Sequence, residues 1–157
     1  MSQLRRSQIM SNGVARVEML IRKSSKDVFD ALVEPRTIEK FWLKSASAPL
    51  AKDARVEWEF MVQGARETVT VTEFVANQVI AFTWSDGIAV KMKFAPQGEN
   101  STRLSVTATG FTGADALNAT EGFTIVLCDL KSLLETGRSG NMVRDKAALI
   151  TADMADA

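Results

Sequence analysis

The sequence has no histidine and no tyrosine, and only one cysteine and three prolines among 157 residues. Without histidine there is no catalytic scheme with an imidazole base, whether Ser-His-Asp or Cys-His. Zinc sites built on histidine are excluded too, and the one cysteine cannot complete a thiolate cage. Cys128 has no internal partner, so a secreted disulfide scaffold is also excluded. Neither GxxxxGK(S/T) nor GxGxxG occurs, so no standard loop cradles phosphates. No apolar run approaches the ~18 residues a membrane span needs. The opening "MSQLRRSQIMSNG" has two arginines but lacks the apolar stretch of a signal peptide. A cytoplasmic protein without a membrane partner is therefore expected. An excess of charge is also missing: Lys+Arg and Asp+Glu are both 19, a formal net charge of zero. A nucleic-acid binder would be basic with clustered Lys and Arg. Arg5–Arg6 and Arg22–Lys23 are too small for that and read as solvated surface charge. No nucleic acid, metal or cofactor is expected, and any chemistry falls to Asp, Glu, Lys, Arg, Ser or Thr.

What is present suits one domain with a real core: 46% hydrophobic and 24% charged residues. Residues 1–13 are polar and read as a loose segment. "VARVEMLIR" (14–22) alternates and reads as a strand. In "SSKDVFDALV", Ser24 and Asp27 resemble a capping box, and Val28, Phe29 and Leu32 share one helical face. Pro35 ends that helix, or starts the next at its first turn. Helices are thus expected over 25–33 and 36–43. From about residue 54 the period becomes two. Strands are expected at "ARVEWEF", "ETVTVTEFV", "VIAFTW", "IAVKMKF" and "TRLSVTATGF", with turns at Gln63–Gly64, Asn77–Gln78 and Asp86–Gly87. Short connections imply an antiparallel meander with one apolar, aromatic face that needs a cover. "EGFTIVLCDLKSLLETG" (121–137) supplies it. Phe123, Val126, Leu127, Leu130, Leu133 and Leu134 lie at helical spacing, Asp129, Lys131 and Glu135 lie off that stripe, and Gly137 stands where a C′ glycine belongs. The helix begins somewhere between Ala114 and Thr120. The layout is α+β, one sheet around one helix. In the remainder, 138–157, Asn141 could cap a short helix carrying Met142, Val143, Ala147 and Ile150.

Four stretches in order resemble the START-like (SRPBCC) superfamily, and within it the AHSA-type homologues of the heat-shock-protein ATPase activator's C-terminal domain. They are "KSSKDVFDALVEPRTIEKFW", "TVTEFVANQVIAFTW", "STRLSVTATGF" and "GFTIVLCDLKSLLETG", spanning roughly residues 14–137. The resemblance implies a helix-grip (Bet v-like) fold: a curved antiparallel sheet wrapped around a long C-terminal helix, with two short helices after the first strand. The sequence departs from the family pattern in places. Phe29, Phe41 and Phe123 stand where relatives often have Trp, and Ala108 stands where they often have His. Asn77–Gln78 replaces a double-proline turn, and Gly64 is what remains of a Gly-rich hairpin.

The resemblance also implies a cavity between sheet and helix. Its lining would be Trp58, Phe60, Val71, Phe82, Trp84, Met92, Phe94 and Val106 from the sheet and Phe123, Val126, Leu127 and Leu130 from the helix, with Phe41 and Trp42 closing one end. Such pockets are mostly apolar; the alternative reading of the same residues is a packed core. Glu73 continues the inward series Val69, Val71, Glu73, Val75. A carboxylate in that position is a ligand anchor or an acid–base group, or else a strand-end charge paired with Arg66 or Arg103. Cys128, inside an apolar helix, reads as a small buried thiol. A non-enzymatic module holding a small hydrophobic or amphipathic ligand is the leading expectation. Behind it stand a chaperone-partner module, suggested by the family, and a polyketide-cyclase or hydrolase-type enzyme working through Glu73. A second copy of the chain is a further candidate partner.

Overall fold

The structure, a computed structural model, describes residues 13–156. The loose segment expected at the N-terminus falls almost wholly outside the described residues. The chain opens with strand β1 (Gly13–Ile21), then helices α1 (Ser25–Val33) and α2 (Pro35–Phe41). Strands β2 (Leu43–Ala46), β3 (Arg55–Phe60), β4 (Arg66–Val75), β5 (Val79–Trp84), β6 (Ala89–Pro96) and β7 (Thr102–Phe111) follow. Helices α3 (Gly113–Thr136) and α4 (Met142–Ala155) complete it. The seven strands form one sheet in the order β1-β7-β6-β5-β4-β3-β2, every neighbouring pair antiparallel. This is the helix-grip arrangement, with α3 as the long helix in the grip.

Local chemistry sets the boundaries. The Ser24 side chain accepts from the Asp27 N–H at 3.2 Å and caps α1. Pro35 occupies the first turn of α2, where its missing N–H costs nothing. Gly64, Asn77 and Gly87 turn the hairpins with positive φ. Gly137 ends α3 in the left-handed conformation, its N–H donating to the Leu133 carbonyl. Short β2, which pairs with β3, had no periodic signature in four residues and was not expected. The long helix starts at Gly113, one residue before the expected interval.

The concave face of the sheet is filled. Phe29 of α1 meets Phe94 and Phe74 edge-on, each at 5.2 Å between ring centroids. Trp58 meets Trp42 at 5.1 Å and Phe82 at 5.2 Å. Ile38 and Phe41 of α2 and Leu127 and Leu130 of α3 are buried in the same cluster. Glu135, Lys131 and the chain at Leu20–Arg22 tie α3 to β1. The Arg22 N–H donates to Glu135 at 2.9 Å, and Lys131 Nζ donates to the Leu20 carbonyl and to Glu135. Among the described residues no helix is long and apolar enough to cross a membrane.

Candidate functional site

The recess with the most apolar lining among the described residues is not in the middle of the sheet. It is a groove of about 250 Å³ between α3, α4 and the end of the sheet nearest α2. The sheet side supplies Phe60, Met61, Val62, Trp84 and Phe111, and Trp42 comes from the end of α2. From α3 come Ala119, Gly122, Phe123, Ile125 and Val126; from α4, Val143, Lys146, Ala147 and Ile150.

Two features explain why a space exists here. Trp84 and Phe123 lie parallel, 3° apart with centroids at 6.1 Å, and Phe60 stands nearly perpendicular to Trp84 at 5.8 Å. These rings make a firm floor. Above it the helices present small residues, Ala119 and Gly122 on α3 and Ala147 on α4. A Cβ built on Gly122 would meet nothing within 4 Å. A glycine inside a helix costs about 1 kcal/mol relative to alanine, so the sequence carries that cost beside an open space.

The outer wall, α4, is held by an unusual device. Asp129, on α3, is buried, only 1% exposed. Its carboxylate accepts from Ser139 Oγ and the Gly140 N–H, both at 2.7 Å, and from the Val143 N–H at 3.3 Å. It therefore satisfies one first-turn donor of α4, Val143, and two donors of the segment that leads into it, from another helix. Asn141, the expected cap, has a φ of 57° and makes no side-chain cap bond. Asp129 lies off the apolar stripe of α3, as its spacing implies, and α4 covers it. Farther along, Lys146 pairs with Glu121 of α3 at 2.6 Å across the groove rim. Otherwise α4 is lightly seated: Ala147 is its one buried residue, while Leu149, Ile150 and Met154 are exposed.

The expected cavity-lining residues divide three ways. Trp42, Phe60, Trp84, Phe123 and Val126 come together around the groove. Phe41, Trp58, Val71, Phe82, Met92, Phe94, Val106, Leu127 and Leu130 do not line it. Each is no more than 3% exposed, because the rings of Trp58, Phe82, Phe94 and Phe29 fill the space beneath the sheet. Glu73 is on the other face altogether. The β4–β5 register slips between Val71 and Glu73, a bulge that reverses the alternation. Phe74 takes the inward place against Phe29, and Glu73, 45% exposed, pairs with Lys91 at 3.2 Å. Arg66, a partner expected for Glu73, pairs with Glu59 instead. Glu73 therefore cannot act as an acid or base in the groove. Met61, Val62, Phe111, Ala119, Gly122, Ile125 and the α4 residues were missed. The apolar spacing in the tail hinted at the α4 residues alone, and it could not say where that helix docks.

The groove is chemically quiet. Lys146 is the one charged residue in its wall. The Trp84 indole N–H is enclosed and has no hydrogen-bond partner. Cys128 is half-buried on α3 and is not a wall residue. No group of three His, Cys, Asp or Glu that could hold a metal occurs among the described residues.

Comparison with known proteins agrees with this architecture. The sequence model of the family described as Activator of Hsp90 ATPase homolog 1-like protein matches residues 23–135. A Staphylococcus saprophyticus protein of known structure is 26% identical, with a TM-score of 0.72 over 80% of this chain and 94% of its own. The Aha1 dimer from Colwellia psychrerythraea is 18% identical, with a TM-score of 0.72 over 80% of this chain and 98% of its own. DynU16, a putative protein in the dynemicin biosynthetic locus, is 22% identical, with a TM-score of 0.73; the match spans 81% of this chain and 49% of that one. No curated protein matches the sequence.

Proposed function

The chain belongs to the family of Activator of Hsp90 ATPase homolog 1-like proteins, and from that premise we propose that it is a non-enzymatic module binding a small apolar molecule in the α3–α4 groove. The observation that carries this reading is the recess itself, about 250 Å³ with nearly all-apolar walls and a helix glycine, Gly122, beside the open space. A dry cavity of ~150 Å³ accepts benzene, and drug-sized ligands take ~300–1,000 Å³. A one- or two-ring molecule, or a short alkyl chain, suits the size. The quiet walls favour binding over catalysis, since no nucleophile or acid–base pair converges there.

Trp42 and Trp84 both border the groove, so occupancy is expected to change tryptophan fluorescence. Titration with short alkanols, which do not absorb in that range, should give a saturable change that Gly122→Leu abolishes by filling the space. A non-saturable response, or an equal one in the leucine variant, would remove the reading. The chaperone partnership rests on the family's name alone and ranks behind it.

A further inference from the structure

We infer that the groove is selective for ligands with a single anionic head, carried by Lys146 at the rim, above an apolar body. This deepens the binding reading above and rests on it. A ligand's polar end needs a partner at the mouth or open water. The enclosed Trp84 N–H offers no accessible one. The backbone groups of α3 and α4 are already bonded within their own helices. That leaves Lys146, the one charged residue in the wall. Its ammonium sits beside Glu121, which is outside the wall, so the alkyl stem is the part that meets the apolar lining, as in long cationic side chains generally.

The charge bound to Lys146 does not close the site. Its partner Glu121 is not a wall residue, and the pair is well exposed, with side chains 39% and 56% accessible. Exposed pairs of this kind hold weakly and are easily exchanged. An ammonium also has three donors, so one can stay on Glu121 while another meets an incoming carboxylate. A cationic head gains nothing from this wall, where the nearest charge is the ammonium. Glu121, its ion-pair partner, opposes this. It weakens the preference for an anion without reversing it, because the carboxylate stands outside the wall.

Three probes with one body and different heads test this: naphthalene-2-carboxylate, naphthalene-2-carboxamide and 2-naphthylmethylamine, followed by calorimetry or ligand-observed NMR. The carboxylate is expected to bind about three- to tenfold more tightly than the amide at low salt, with the gap narrowing as salt rises. Lys146→Met should equalise acid and amide. Lys146→Glu should turn the preference toward the amine, and Glu121→Gln should strengthen the acid further. Equal binding of acid and amide to the parent protein, or an unchanged preference in Lys146→Glu, overturns the inference while leaving the groove reading intact. Failure of all three probes, the neutral amide included, defeats the groove reading and this inference with it.

Discussion

Two regions of this molecule use the same kinds of residue to opposite ends. Beneath the centre of the sheet, large rings oppose large rings: Phe29 meets Phe94, and Trp58 meets Trp42 and Phe82. Nothing is left over, and the result is solid. At the α2 end, Trp84 and Phe60 of the sheet are met by Ala119 and Gly122 of α3 and Ala147 of α4 as well as by Phe123, and a recess remains. An aromatic stripe on a strand therefore does not itself mark a ligand site. What decides is the size of the residues on the facing element. The two regions also differ in how they are held: the first by burial on every side, the second by one carboxylate, one exposed ion pair and a lightly seated helix.

The comparison can be broken most forcefully in the solid region. Phe41→Ala removes a fully buried ring and should cost about 3–5 kcal/mol, read as a lowered denaturant midpoint. A loss below about 1 kcal/mol would mean that this part is not close-packed. In the groove, Asp129→Ala leaves the Ser139, Gly140 and Val143 donors without their acceptor. A cost of about 1–3 kcal/mol is expected. Hydrogen exchange should quicken in α4 well before β5 and β6; uniform quickening would show that α4 is no separate unit. Gly122→Ala sharpens the contrast by acting in the other direction. With no atom near the new methyl group, it should raise stability by about 0.5–1 kcal/mol while weakening groove ligands.

The smallest effect concerns Glu135. The Arg22 backbone N–H, and next Lys131, hold its carboxyl below the usual carboxylate range. A lowered folded-state value means that its contribution is complete above the ordinary value near 4.5 and is lost as pH falls through the lowered one. Glu135→Gln should cost about 1 kcal/mol or less at neutral pH. It should also flatten the acid limb of a stability–pH profile, leaving the groove's affinity alone.

Much of this was legible in the sequence, for physical reasons. The strands alternate because one face is buried, and the hairpins carry Gly or Asn where φ is positive. Pro35, Ser24 and Gly137 punctuate the helices as their backbone chemistry requires. Glu73 was misread because alternation assumes an unbroken register, and the bulge at Thr72 leaves no local mark. The burial of Asp129 was not legible, because it depends on a second helix whose docking cannot be seen in the spacing of either one. The groove was misplaced for the same reason. Its floor comes from strand positions and from Phe123 of α3, which periodicity finds, but its outer wall comes from the meeting of α3 with α4.

The sheet order carries a consequence for how the protein is made. β1, the first described strand, pairs along its whole length with β7, from Gly13 opposite Phe111 to Ile21 opposite Thr102. During synthesis β1 emerges early and must wait, its edge unpaired, until β7 leaves the ribosome. The hairpins from β3 to β7 can form as they appear; closing β1 onto them comes late and carries most of the loop entropy. The vulnerable interval in this protein's life is thus the wait before β1 meets β7.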